Sequence, residues 1–196
     1  MHRLLYVLCL LLPAPMLAAQ EFVVTGDDGA ALADAVVLLT PLAGARPAPP
    51  AEAVIQQVNR TFLPLVTVVP VGSRVAFPNL DRIRHHVYSF SPAKKFDIKL
   101  YAGDPPAPVL FDRPGVVVLG CNIHDGMLAF VVVTEAPFFG KTGADGRVRL
   151  AGAGAGEYRA QLWHPRLGER LEERRLTLQG GTMPLRLLSA AAERAP

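Results

Sequence analysis

Gly120-Cys121-Asn122-Ile123-His124-Asp125-Gly126-Met127 holds a thiol, an imidazole and a thioether at C-x2-H-x2-M spacing. It stands between two strand-like runs, Gly115 to Leu119 and Met127 to Thr134, both rich in β-branched residues. Two such runs around a short loop make this part of the chain β structure, with three metal-capable side chains at the join.

These donors are soft or borderline. A thiolate and two imidazoles in a trigonal plane, with a thioether weakly on the axis, serve a copper ion that cycles between one and two positive charges. Structural zinc uses four strong Cys or His ligands, and the only cysteines are Cys9 and Cys121. The second imidazole comes from elsewhere. His85-His86 opens another strand-like run, His86 to Phe90, about 36 residues upstream of the cysteine. Neighbouring strand residues point to opposite faces, so only one of the pair can reach a shared metal from a regular strand. Taken singly, Cys121 reads as an inert buried thiol, His124 as a loop histidine and Met127 as a core residue. The spacing and the upstream His pair favour the joint reading.

Outward from this centre the sequence reads as all-β. Eighteen prolines and seventeen glycines break it into short segments. Phe22 to Thr25, Asp34 to Leu39, Leu65 to Val69 and Arg74 to Phe77 join the three runs above as strands bounded by turn residues, a spacing that suggests a sandwich. A second β pattern follows Pro137, with a turn at Gly143 to Gly146 and alternation over Arg147 to Leu150 and Gly156 to Trp163. Ala43 to Ala53 is a Pro/Ala-rich connection. The mixed charge run Glu169 to Arg175 reads as a solvated face.

The N-terminus has the three-part layout of a secretory signal. Met1-His2-Arg3 is followed by the apolar run Leu4 to Leu12 and by Pro13 to Ala19. The run is too short for a hydrocarbon core that needs ~20 residues, so cleavage near Ala19 is expected rather than a permanent anchor. Loss of Arg3 leaves 19 basic against 17 acidic residues, a balance that points to neither nucleic acid nor membrane. Cys121 is then the sole thiol of an exported chain, where cysteines are usually paired. A metal bond explains it.

Val71 to Asn79, His85 to Phe90 and Gly115 to Met127 together resemble the cupredoxins: plastocyanin, pseudoazurin and, by the short gap between His124 and Met127, amicyanin. The chain also looks like the plastocyanin-like proteins labelled methylamine utilisation proteins in bacterial genomes. The resemblance covers roughly residues 54–134. It implies a Greek-key β-sandwich with one type 1 copper ion held by His85, Cys121, His124 and Met127. His86 stands where cupredoxins carry Asn, and is the alternative ligand if the register shifts by one. The resemblance also implies an apolar patch around His124, formed with Ile123, Gly126 and Pro78. Val24 to Gly29, with Ala35 to Leu38, and Lys141 to Tyr158 look like the two ends of a carboxypeptidase-regulatory-like sandwich.

The expected organisation is a signal peptide (1–19), N-terminal strands of an accessory β domain (20–53), a copper domain (54–134), the remainder of the accessory domain (135–190) and a tail (191–196). The accessory domain is discontinuous if its two parts pair in space; two tandem sandwiches would give the same sequence. The function expected is that of a periplasmic electron carrier and not an enzyme, serving a redox protein such as a c-type cytochrome or a periplasmic dehydrogenase. Copper delivery and a metal-free binding sandwich are the other classes. The first lacks His-rich or Met-rich tracts, and the second does not explain an intact ligand set.

Overall fold

The strand Leu128–Thr134 is buried at all but its first residue, as a run of Ala-Phe-Val-Val-Val-Thr requires if both of its faces are covered. In the computed structural model, which describes residues 19–104 and 107–187, the coverings come from two different parts of the chain. The expected signal segment, apart from Ala19, and the expected tail lie outside the described residues.

The strands in chain order are β1 (Ala19–Thr25), β2 (Val36–Pro41), β3 (Glu52–Val54), β4 (Gln56–Val58), β5 (Thr61–Leu63) and β6 (Val66–Pro70). Then come β7 (Ser73–Ala76), β8 (His85–Ser89), β9 (Phe96–Tyr101), β10 (Val109–Phe111), β11 (Gly115–Gly120) and β12 (Leu128–Thr134). β13 (Phe138–Lys141), β14 (Arg147–Ala151), β15 (Gly156–Trp163), β16 (Glu172–Leu178) and β17 (Gly181–Arg186) complete the chain. One short 3-10 turn, Pro165–Leu167, is the only helical element among the described residues. The protein is an all-β sandwich, as its composition of short β-branched runs dictates.

The middle sheet has the order β6-β12-β11-β8-β9. β12 runs parallel to β6, with Phe130 opposite Val66, and antiparallel to β11, with Val131 opposite Val117. Alternation sends Phe130, Val132, Val66 and Val116 into one core with Phe22 and Trp163. It sends Val131, Val133, Val117 and Leu119 into a second core with Val75, Phe77 and Phe111. The sheet β10-β7-β3 contributes Val75 and Phe111 to that second core.

Two further sheets, β14-β1-β17 and β13-β2-β15-β16, build the first core. β1 pairs with β14 and β17, and β2 with β13 and β15, so strands from the two ends of the chain interleave. Thr142 laces them together: its hydroxyl donates to the Leu32 carbonyl at 2.6 Å and accepts the Ala35 N–H at 2.9 Å. Glu52 and Ala53, at the end of the Pro/Ala-rich connection, pair with Arg74 and Val75 of the small sheet.

The charge run is more than a solvated face. Glu172 to Arg175 begins the edge strand β16, with Glu173 and Arg175 exposed while Glu172 and Arg174 are partly covered and paired at 2.7 Å. Long aliphatic stems let charged residues serve as strand residues on a half-covered face.

Phe130 packs against the buried Trp163 with ring centroids 5.1 Å apart and planes tilted by 59°, joining the middle sheet to β15. Phe130→Ala should cost ~3–5 kcal/mol. Because one sheet serves both cores, urea unfolding followed by Trp163 fluorescence and by far-ultraviolet dichroism should still give one coincident transition at a lower midpoint.

Candidate metal centre

Gly120 ends β11 opposite Tyr88 of β8. A Cβ at position 120 would stand 2.9 Å from the end of the Tyr88 ring, so glycine lets that ring lie over the end of β11. This pairing brings His85 and Cys121 together at the same end of the sheet. The loop to β12 then folds back on itself: the Met127 N–H donates to the His124 carbonyl at 3.0 Å. That turn leaves Asn122, Ile123, Asp125 and Gly126 exposed and carries Cys121 and Met127 inward, into the second core.

His85, Cys121 and His124 form one group, with ligand atoms all within 4.8 Å of one another. Cys121 Sγ lies 3.9 Å from His124 Nδ1, and the two imidazole rings meet edge-on with centroids 5.0 Å apart. His85 is wholly buried. Its Nε2 is 2.7 Å from Asp81 Oδ2, whereas its Nδ1 is buried with no hydrogen-bond partner. A buried polar atom without a partner carries its full desolvation cost. A metal ion bound by this nitrogen, the Cys121 sulfur and the His124 imidazole would remove that cost, and one thiol with two imidazoles is a donor set that copper suits.

His86 does not join the group. Its Nε2 meets the Asp97 carboxylate of β9 and its ring lies 5.3 Å from Tyr88. The pairing of β8 with β9 slips between His85 and Val87, a bulge that sits beside His85. Met127, 2% exposed, belongs to the same apolar cluster as Cys121. His164 is elsewhere, capping the 3-10 turn by accepting the Arg166 N–H on Nδ1 at 3.2 Å. Of the expected patch, Ile123 is 48% exposed and Gly126 open, while Pro78 is half-buried.

Sequence reasoning missed the residues behind the candidate ligands. Asn79 is buried and ties the loop before β8 in place: its amide donates to the Ile83 and Tyr101 carbonyls, both at 2.9 Å, and its oxygen accepts the Asp81 N–H at 3.0 Å. The Arg60 N–H, burial acting against it, and the His85 ring hold the Asp81 carboxyl below the usual range. The spacing of four residues from Asp81 to His85 was the available signal. Beneath the site, the Tyr101 hydroxyl donates to the Phe77 carbonyl and accepts from Gln57 Nε2 at 2.5 Å. Burial, chiefly, pushes its pKa up to about 12.

No protein-family model matches the chain, and neither does any curated protein. Among solved structures it is similar in part to a copper-containing nitrite reductase from Thermus scotoductus, at 28% identity and a TM-score of 0.41 over 49% of this chain. The chain spans a quarter of that enzyme's length. It is also similar to a purple cupredoxin from Nitrosopumilus maritimus (22% identity, TM-score 0.37, 42% of this chain and 99% of that one). A third likeness is to amicyanin from Paracoccus versutus (17% identity, TM-score 0.39, 49% of this chain and 97% of that one).

The raised Tyr101 pKa has a definite sign in stability. Above pH 10 the unfolded chain ionises this phenol while the folded chain keeps it protonated, so stability falls as pH rises from 10 towards 12. Urea midpoints measured at pH 8 and pH 11 should differ less in Tyr101→Phe than in the parent protein.

Proposed function

We propose that the chain is a periplasmic type 1 copper protein that carries single electrons, with His85, Cys121 and His124 as equatorial ligands and Met127 as the weak axial one. The observation that carries this reading is the unpartnered, buried Nδ1 of His85 grouped with a lone thiol and a second imidazole. When bound, copper supplies a reversible one-electron couple. The protein's own part is to hold the donors still. His85 and Cys121 sit at facing strand ends, and the turn from His124 to Met127 fixes the spacing of the other two. Donors held by a rigid sheet need move little when the charge on the site changes, which keeps electron transfer fast.

His124 is half-buried beside the exposed Ile123 and Gly126, which supports a reading in which it is the route for electrons to a docked partner. A c-type cytochrome or a periplasmic dehydrogenase is the partner class we propose. Residues 1–19 would direct export. Among the described residues, no helix is long and apolar enough to cross a membrane.

Residues 20–196, loaded with copper and oxidised, should show an intense visible thiolate-to-copper charge-transfer band that Cys121→Ser abolishes. A folded, copper-bearing protein without that band would overturn the electron-carrier reading and turn attention to copper delivery. Met127→Leu should keep the band and raise the reduction potential, because loss of the thioether weakens the oxidised site more than the reduced one.

A further inference from the structure

The hairpin β4–β5 stands apart as a two-stranded sheet, with Val58 opposite Thr61. Its two turn residues, Asn59 and Arg60, have φ of 52° and 58°. Both central residues of a two-residue hairpin loop adopt the left-handed region in a type I′ turn, where glycine is preferred at the second position. Here that position is Arg60, so the turn is kept despite an unfavourable residue.

What the turn presents is a pair of backbone donors. The Asn59 N–H donates to Asp81 Oδ1 at 2.7 Å, and the Arg60 N–H to Asp81 Oδ2 at 2.9 Å. The Asp81 N–H is itself held by Asn79 at 3.0 Å. The carboxylate is thus held by two backbone donors and its backbone by a third contact, and Oδ2 faces His85 Nε2 at 2.7 Å. An acceptor-only carboxylate at that distance requires the proton to sit on Nε2. Nδ1 is left buried with no hydrogen-bond partner of its own.

We propose that Asp81, clamped by the tip of the β4–β5 hairpin, is the positioning residue that selects the Nε2–H tautomer of His85 and sets its strength as a donor through Nδ1. A carboxylate accepting from the far nitrogen makes an imidazole more electron-rich, and so favours the more highly charged state of a bound metal. The donor side of the inference concerns the metal-free protein; its redox consequence rests on the copper reading above.

Two measurements on residues 20–196 separate these layers. In metal-free protein carrying 15N-labelled histidine, long-range 15N–1H spectra at neutral pH should show His85 protonated on Nε2. Asp81→Ala should give a mixture of tautomers. A wild-type His85 protonated on Nδ1, or already a mixture, overturns the proposal whether or not copper binds.

In copper-loaded protein, Asp81→Asn keeps the shape and removes the charge. Its Cu(II) affinity should fall ~10- to 100-fold, and its Cu(I) affinity less. Each tenfold difference between the two raises the potential by ~59 mV for one electron. Asp97→Asn removes an equal charge beside His86, and should leave the potential where it was. Equal shifts in the two variants would mean a bulk charge effect, and no shift in Asp81→Asn would mean no effect on donor strength; either result overturns the redox half. Absence of the thiolate band in the wild-type protein overturns the copper reading instead, with the tautomer result still deciding the role of Asp81.

Discussion

Everything in this protein is arranged around β12, a strand with no face left for water. Its odd and even side chains are committed to different cores, so a shift of one residue in its pairing with β11 or β6 would exchange the two sets. Phe130 would leave the pocket beside Trp163, and Val131 the company of Val117. This constraint reaches the candidate metal centre directly. Met127 immediately precedes β12 and Cys121 immediately follows β11, so the β11–β12 register also spaces these two candidate ligands.

The site combines an immobile floor with a more open rim. Below, His85, Cys121 and Met127 are buried among aromatic and aliphatic side chains, and Tyr101 stays protonated throughout the physiological range. Above, Asn122, Ile123, Asp125 and Gly126 face solvent. Low polarity on one side strengthens the electrostatic effect of each fixed group, which is why a single carboxylate at Asp81 can matter to a neighbouring imidazole.

Much of this was legible in the sequence because it is local. Cys121, His124 and Met127 lie within one loop, and β-branched runs announce β6, β11 and β12 without knowledge of their partners. That His85 rather than His86 is grouped with Cys121 and His124 goes with the bulge against β9, which the sequence does not announce. Strand β9, Phe-Asp-Ile-Lys-Leu-Tyr, was passed over, although its alternation is plain in retrospect; three of its side chains are exposed, so it resembles a polar loop as much as a strand. β16 was hidden by its charges, and Asp81 by the fact that its anchors are backbone N–H groups, which have no signature in side-chain identity. The pairing of β1 with β17 joins residues some 160 positions apart, which no window along the chain can report.

The adjacency of β2 and β13 has a consequence for how such a chain could arise and be re-engineered. Leu39 lies opposite Phe138, so the path that departs after β2 returns one strand away, having built β3 to β12 in between. To the sheet that contains them, the whole segment from β3 to β12 is a single surface loop. Lengthening a loop costs only ~0.6 kcal/mol per doubling, and a folded insert whose ends already meet adds less. The outer sheets could therefore exchange this unit for another of matching end separation, or close over a short turn, provided that the apolar face they now share with β12 is covered again.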